Sequence, residues 1–427
     1  MSNRKILTCS MTIPALLLCA GCQPTSRLSR IGYEAKQPTV AVLGDGRGAV
    51  AWIERNRDEG TYEIRGVAFE PEERRRGPHT TEVYDSESPP PRLLYSSVRE
   101  LSNPMLVTCG DDNALFLAWK EHYSEPDDVW KLFGRFVDFD VKEAGERTEI
   151  SHEVGAYTAG MYDVAYDANS DVLVIVYIYG LRVKARALRP NGEFVDDGHL
   201  VPGRRGEINE DVHVACRGET DGTPRCLVTW RFHGSYESDP RVRGAFLDAQ
   251  ASPMGEVFDV RVHNYHHIAV AYDDSGRDRF LIIMDNGHRT NPDRFDAKFI
   301  PFEDGHPRLD EPILRSIWLS FAMESSTLAI GQSTRPPPLS LAYRSGADAY
   351  VLTIHFLRPA DARWQLGALS IDGESGVSES QIFLNPSTSE FQTYADVDAN
   401  DRFWVVWQNG YHVISSPSTI HFRRIYY

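Results

Sequence analysis

Three histidines close together in the chain carry side chains that could bind a metal ion. His263, His266 and His267 stand in the stretch HNYHH, and His213 lies in the preceding part of the chain. Imidazole nitrogen is a common ligand of zinc. In an extended segment, however, neighbouring side chains point to opposite sides, so His266 and His267 would point apart. The three histidines are candidate metal ligands, and the pattern does not specify a metal.

Oxygen ligands for a cation occur in DVDAND, Asp396 to Asp401. Oxygens at alternating positions can converge on calcium, but this stretch lacks the glycine at the sixth position and the acidic residue at the twelfth that complete a calcium loop. Similar stretches recur, as in YDANSD and YDDSGRD, and Asp and Asn favour tight turns. We predict a hairpin turn here and no cofactor, with calcium as the alternative.

Composition and missing motifs exclude several classes of function. The chain has 427 residues, of which 61 are acidic and 45 basic, giving a net charge of −16. Nucleic-acid phosphates require a basic surface, so no nucleic-acid partner is predicted. The sequence contains neither the G-x-S-x-G of serine hydrolases nor the H-E-x-x-H of zinc proteases. We therefore assign no catalytic residue.

The N-terminal segment has the order of an export signal. Basic residues precede an apolar core, Met11 to Leu18, that is too short to remain as a membrane-spanning helix. The stretch LCAGC, which ends at Cys22, resembles the lipobox of bacterial lipoproteins, although Cys19 stands where that family usually has leucine. The resemblance implies cleavage before Cys22 and lipidation of that residue, and Gln23 after it implies sorting to the outer membrane. A soluble exported protein is the alternative.

A short apolar run that ends in a large side chain recurs seven times. The copies are GAVAW ending at Trp52, LFLAW at Trp119, VIVY at Tyr177, LVTW at Trp230, LIIM at Met284, VLTI at Ile354 and WVVW at Trp407. An apolar strand and a polar turn precede each run, and a third strand follows it. A fourth strand follows in most copies. Four short strands repeated at this interval are typical of a propeller blade.

We therefore predict an all-β fold, a single seven-bladed β-propeller of four-stranded antiparallel blades. The expected boundaries are a signal peptide over 1–21, a lipidated tether over 22–29 and the propeller over 30–427, as a monomer. A pair of β-sandwiches is the alternative, but it does not predict the same strand order seven times. The last unit stops after its third strand, so the segment Arg27 to Ala35 is expected to supply the missing strand.

The repeat also resembles the degenerate blades of β-propeller proteins exported by bacteria, and Trp52, Trp119, Trp230 and Trp407 match the tryptophan of that pattern. The resemblance implies a fold and leaves the function open.

Loops that follow the second strand of each unit are expected to surround one mouth of the propeller. They carry aromatic and imidazole side chains that suit contacts with sugars or peptides. The candidate binding residues are His122, Tyr123, Tyr179, His233, Tyr236, His288, Tyr411 and His412. Ordinary loop composition is the alternative.

Two cysteines lie on neighbouring strands of the fourth unit. Alignment of the repeats places Cys216 on the first strand and Cys226 on the second, and export would put them where disulfides persist. We predict a Cys216–Cys226 disulfide. We also predict an unpaired buried thiol at Cys109, which takes the position of Cys216 in the second unit, because Leu115 stands there where the partner cysteine would be.

These expectations favour a non-catalytic binding or assembly module, held at the bacterial outer membrane by its lipid anchor, with a glycan, peptide or protein partner. The alternative is a hydrolase or lyase that acts on polysaccharide, in which acidic residues at the mouth would serve as acid and base.

Overall fold

The computed structural model describes most of the chain between residues 26 and 425. The described residues are 26–27, 29, 33–43, 45–69, 90–110, 114–125, 128–138, 145–154, 162–203, 207–218, 224–234, 241–261, 265–273, 275–286, 294–310, 314–318, 339–344, 348–358, 363–376, 378–383, 392–399, 403–409 and 419–425. These ranges contain strands and turns but no helix, and thus no helix long and apolar enough to cross a membrane.

The strands of the described ranges form seven antiparallel sheets, which we number as blades 1 to 7. The short β1 (Ser26–Arg27) belongs to blade 7. Blade 1 comprises β2 (Glu34–Val42), β3 (Gly48–Asn56), β4 (Thr61–Phe69) and β5 (Arg92–Ser97). Blade 2 comprises β6 (Leu101–Cys109), β7 (Ala114–Tyr123), β8 (Val129–Asp138) and β9 (Thr148–Val154). Blade 3 comprises β10 (Tyr162–Asp167), β11 (Val172–Tyr179), β12 (Arg182–Leu188) and β13 (His199–Leu200).

The remaining blades repeat this order. Blade 4 comprises β14 (Glu207–Cys216), β15 (Cys226–Gly234), β16 (Arg241–Leu247) and β17 (Pro253–Arg261). Blade 5 comprises β18 (Tyr265–Asp273), β19 (Arg279–Asn286) and β20 (Arg294–Glu303), and both β21 (His306–Pro307) and β22 (Leu314–Trp318) pair with β20. Blade 6 comprises β23 (Ser340–Arg344), β24 (Ala349–Arg358), β25 (Arg363–Asp372) and β26 (Ser378–Phe383). Blade 7 comprises β27 (Gln392–Ala399), β28 (Phe403–Asn409), β29 (Thr419–Ile425) and β1.

Apolar clusters fill the space between each blade and the next. One cluster of buried side chains lies at each contact, from blades 1 and 2 through to blades 7 and 1. The first strand of each blade packs beside the first strand of the next, and β2 contacts β27. The blades therefore form a closed ring, and the prediction of an all-β propeller of four-stranded antiparallel blades is confirmed.

The large side chain that ends each apolar run explains why the repeat is visible in the sequence. Trp52 lies in the cluster between blades 7 and 1, Trp119 in that between blades 1 and 2, and Trp230 in that between blades 3 and 4. All three are buried. Each indole ring thus packs on the blade that precedes its own. Such buried aromatic area is a main source of core stability.

The N-terminal segment completes the last blade. Ser26 pairs with Phe422 and Arg27 with His421, so β1 is the outermost strand of blade 7. The prediction that this segment supplies the missing strand is confirmed, but its bounds were wrong, because Glu34 and Ala35 already belong to β2. The chain must leave blade 7 after Arg27 in order to enter the innermost strand of blade 1.

Tight hairpins join the first and second strands of several blades. Asp171, Asp278 and Asp348 each stand directly before the second strand of their blade. Their φ angles are 50°, 42° and 49°. Each carboxylate accepts a hydrogen bond from a tyrosine of the first strand. Aspartate tolerates this left-handed conformation better than most residues, which accounts for the Asp-rich stretches of the sequence.

Candidate functional site

Four of the predicted binding residues lie in the described ranges. They are His122, Tyr123, Tyr179 and His233, and each lies at or near the end of the second strand of its blade. Tyr236, His288, Tyr411 and His412 lie outside the described residues. The grouping of all eight around one mouth therefore stays a prediction.

His122 and Tyr179 border the same gap between blades. Along β7, Phe116 and Ala118 pack toward blade 3, and alternation places His122 on the same face. Along β11, Tyr177 packs toward blade 2, and Tyr179 shares its face. Both predicted residues consequently lie at the end of the contact between blades 2 and 3.

The surface around this pair is the blade 2–3 cleft, which we define by six residues. They are Lys120, His122, Trp130, Tyr179, Arg182 and Lys184. The His122 ring stacks on Trp130 with ring centroids 4.7 Å apart and an interplanar angle of 24°. Its Nε2 lies 2.7 Å from Asp128 Oδ1. These contacts hold the His122 imidazole against the face of the Trp130 indole.

The blade 3 side of the cleft is a tight hairpin. Tyr179 is 41% exposed and Leu181 is 45% exposed, and Gly180 between them has a φ of 59°. The left-handed conformation at Gly180 favours glycine and turns the chain so that both neighbours project outward. Lys184 Nζ lies 5.7 Å from the Tyr179 ring centroid. The cleft thus combines exposed apolar surface with positive charge.

Tyr123 and His233 lie in other gaps. Tyr123 packs with the cluster between blades 1 and 2, where the Arg99 guanidinium lies 4.2 Å from its ring centroid. His233 shares a face of β15 with Leu227, which packs toward blade 5, and its Nε2 lies 3.9 Å from Glu210 Oε1. Neither residue joins the blade 2–3 cleft.

A partly buried charged triad, in which Asp211 is buried, lies on the innermost strands of blades 3 and 4. His213 Nδ1 is 3.5 Å from Asp163 Oδ2, and His213 Nε2 is 3.3 Å from Asp211 Oδ1. Burial alone would lower the pKa of His213, but hydrogen bonds to both carboxylates raise it to about 10. The side chain is therefore a cation at neutral pH, held between two anions.

The triad also joins neighbouring blades. Burial would raise the pKa of Asp211, but the hydrogen bond and charge of His213, with the nearby charges of His267 and Arg231, lower it. Asp163 Oδ2 accepts a hydrogen bond from the Val214 backbone N–H at 2.8 Å. Both carboxylates are thus engaged within the ring.

The same kind of joint recurs around the ring. A side chain on one innermost strand accepts a hydrogen bond from a backbone N–H of the next, and the other examples are Asp211 with Ile268 at 3.0 Å, Thr39 with Leu106 at 3.0 Å, Ser340 with Val397 at 3.2 Å and Asp398 with Val42 at 2.7 Å. Asp163, Asp211 and Asp398 of the innermost strands therefore serve the contact between blades.

Metal binding was predicted at His263, His266 and His267. His263 and the His266 side chain lie outside the described residues, and His267 is buried. Within the described ranges, no group of three or more His, Cys, Asp or Glu side chains is placed to hold a metal ion. In the DVDAND stretch, Asp398 bonds to Val42, while residues 400 and 401 lie outside the described part. Both metal predictions stay untested.

The disulfide prediction is confirmed. Cys216 and Cys226 are directly opposite on β14 and β15 and form a disulfide. Closing so short a loop stabilises the folded chain by about 2–3 kcal/mol in the chain-entropy account. Cys109 is a buried free thiol, as predicted. Burial, with a smaller contribution from Asp171, raises its pKa to about 12, so it is a poor nucleophile.

Comparison with known proteins reveals only remote likenesses. No family model matches the chain, and no curated protein sequence matches it. Among solved structures, a protein of unknown function from Dyadobacter fermentans is 10% identical, with 94% of this chain and 97% of that chain covered and a TM-score of 0.46. The β-propeller domain of the Trilobed protease from Pyrococcus furiosus is 9% identical, with coverage of 92% and 93% and a TM-score of 0.46. An α-L-arabinofuranosidase from Fusarium graminearum is 9% identical, with coverage of 82% and 96% and a TM-score of 0.45.

The architecture of the chain itself defines its class, a β-propeller with a disulfide-linked blade. Fold alone does not assign an activity, and these likenesses say nothing about what the chain binds.

Sequence reasoning missed four residues of the cleft. Lys120 and Trp130 stand within strands of blade 2, and Arg182 and Lys184 lie on β12. The sequence contained one signal for Arg182 and Lys184. The alternation in RVKARA places basic side chains on one face of a strand and apolar ones on the other. Trp130 required the strand register, in which it pairs with His122.

Proposed function

We propose that the protein is a membrane-anchored, non-catalytic binding module that presents its propeller face to a glycan, peptide or protein partner. The observation that carries this proposal is the exposed aromatic side chain of Tyr179 at the blade 2–3 cleft, with the exposed Leu181 two residues later in the same hairpin. Exposed aromatic side chains next to polar groups are enriched at interfaces. Outside the cleft, Val98 is a further exposed apolar side chain. It is 76% exposed and lies in the loop that leads from blade 1 into blade 2.

The state of Asp163 and Asp211 argues against their use as the catalytic pair of a hydrolase. A glycosidase needs one carboxyl group with a raised pKa to act as the acid, beside a second carboxylate. The pKa of Asp211 is lowered, and Asp211 and Asp163 bond to His213 and to backbone N–H groups of neighbouring strands. This pair suits a joint between blades better than acid catalysis.

Export and anchoring form the second part of the proposal. The N-terminal stretch that ends at Cys22 supports lipidation there, and the Cys216–Cys226 disulfide is in keeping with an oxidising compartment. The outer membrane, on its periplasmic or outer face, is the proposed location. We propose a monomer.

Replacement of Cys22 by serine tests the anchor. Without an acceptor thiol no lipid is attached, so the full-length chain is expected to move from the membrane fraction to the soluble fraction of the cell. Cys9→Ser, which lies outside the LCAGC stretch and keeps Cys22, is the matched control and should stay in the membrane fraction. Equal membrane retention of the Cys22→Ser chain would refute lipid anchoring at this residue.

Binding to glycan and peptide arrays tests the module. The chain from residue 23 is expected to bind a defined set of ligands, and Tyr179→Ala should weaken that binding about tenfold or more because it removes an exposed aromatic contact. Leu93→Ala, which removes an exposed apolar side chain from the edge strand β5 of blade 1, should bind as the unaltered chain does. A blank array together with turnover of a polysaccharide would overturn the proposal.

A further inference from the structure

Most of the described arginines of blades 4 and 5 are paired with carboxylates, whereas two cations of blade 3 have no carboxylate partner among the residues that the structure describes. Arg217, Arg225, Arg231, Arg243, Arg277 and Arg279 all form ion pairs. No carboxylate of the described residues lies within ion-pair distance of Arg182 or Lys184. In a chain of net charge −16, two neighbouring cations without an acidic partner are unusual.

Both cations face the blade 2–3 cleft. Val183, Ala185 and Ala187 pack toward blade 4, so the intervening side chains of β12 face blade 2. Arg186 confirms this direction, because its guanidinium donates a hydrogen bond to the Ile150 carbonyl of blade 2. The positive charge of β12 is therefore directed toward Trp130 and His122.

Lys120 of blade 2 lies beneath this surface. Lys120 is only 2% exposed, and its Nζ lies 5.2 Å from the Trp130 ring centroid. Alternation along β7 places it on the His122 face. Its side chain has further contacts within the fold, so it supports Trp130 from the interior and does not meet a ligand. The accessible positive charge of the cleft therefore comes from Arg182 and Lys184 of blade 3.

We propose that the blade 2–3 cleft binds an acidic polysaccharide, whose sugar rings stack on Trp130 and Tyr179 while their carboxylates contact Arg182 and Lys184. This rests on the proposed binding function and specifies its ligand class. The C–H face of a sugar ring matches a flat aromatic surface, and carboxylates match guanidinium and ammonium donors. An acidic peptide shares the charge but lacks a regular series of flat ring faces.

Calorimetry with a uronic-acid oligosaccharide tests the ligand class. The probe is an oligogalacturonate, and its control is the same oligosaccharide with each carboxyl reduced to an alcohol. The chain from residue 23 is expected to bind the acidic probe at least tenfold more tightly than the neutral one. Binding should weaken further when salt is raised from about 0.05 to 0.5 M, because added ions screen charges at the surface.

A double variant locates the site. Arg182→Gln with Lys184→Gln should weaken acidic-probe binding about tenfold to a hundredfold. Arg57→Gln with Lys36→Gln removes the same charge from blade 1, where both cations have acidic partners, and should leave affinity unchanged. Equal loss in both double variants would show a nonspecific charge effect and overturn the site.

The outcomes separate this inference from the proposed function. Tight binding of the reduced oligosaccharide, or of polyglutamate in place of the uronic-acid probe, would overturn the acidic-polysaccharide class and leave a binding module intact. Failure of the acidic probe while other array ligands bind would do the same. Failure of every array ligand would count against both.

Discussion

Replacement of His213 by leucine is expected to lower the free energy of unfolding by about 3–5 kcal/mol at pH 6, because its removal leaves the buried carboxylate of Asp211 and the partly buried one of Asp163 without their cation. The imidazolium lies between Asp163 and Asp211, within 3.5 Å of one carboxylate and 3.3 Å of the other. Leucine would keep much of the volume but none of the charge. The two carboxylates would then repel each other at the contact between blades 3 and 4.

The effect of this substitution should depend on pH. The pKa of His213 is about 10 in the folded chain, above its ordinary value of 6.5. A group whose pKa is raised on folding contributes stability that is fully present below the unfolded pKa and is lost as pH rises through the folded pKa. The difference between the unaltered chain and His213→Leu should therefore be largest below about pH 6.5 and shrink toward pH 10.

Urea unfolding at pH 6 and pH 9.5 measures both expectations. His233→Leu is the matched control, because His233 lies on the same blade but is 3.9 Å from a single carboxylate, and it should change stability far less. A small loss for His213→Leu at pH 6, or a difference that grows with pH, would contradict a charged His213 in the folded chain.

Replacement of Arg225 by methionine is the second change with a large expected effect, again about 3–5 kcal/mol. The Arg225 Nε lies 3.0 Å from Asp167 Oδ2, and Nη2 donates to the Gly218 carbonyl at 3.0 Å. Asp167 is 0% exposed. The pair joins blades 3 and 4 beside Cys226, so methionine would leave a buried carboxylate without its cation at this contact.

A double variant separates the ion pair from simple loss of packing. Arg225→Met combined with Asp167→Leu removes both charges, so its cost should be smaller than that of Arg225→Met alone. Arg308→Met, whose carboxylate partners are exposed, should leave the thermal midpoint unchanged. A double variant less stable than Arg225→Met would show that the charge of Asp167 is not the source of the loss.

The fold was predictable from the sequence because each blade buries both faces against its neighbours. Second strands therefore read as continuous apolar runs, and the large residue that ends each run, such as Trp52 or Trp119, packs on the preceding blade. The disulfide followed from the same alignment, since Cys216 and Cys226 occupy paired positions. The start of β2 was not predictable, because Glu34 and Ala35 lack the apolar pattern of the run that follows.

The candidate site was predictable only in part. Tyr179 and His122 were found because they follow apolar runs, but their common cleft depends on which face of each strand meets the neighbouring blade. Lys120 looked like an ordinary surface residue in the sequence, and its burial beside Trp130 arises from packing between blades. The triad around His213 combines Asp163 with a residue fifty positions later, which local patterns do not reveal.

The most direct measurement of the central claim records binding and ligand integrity in one sample. The chain from residue 23 and its Tyr179→Ala variant are immobilised at equal density and exposed to the array ligand that binds most tightly. The bound ligand is then eluted, and its amount and molecular mass are measured by mass spectrometry. We expect the unaltered chain to retain the ligand, to release it at unchanged mass, and to retain far more than Tyr179→Ala does. Shortened or modified ligand in the eluate, or equal retention by the two chains, would contradict a non-catalytic module that binds through the blade 2–3 cleft.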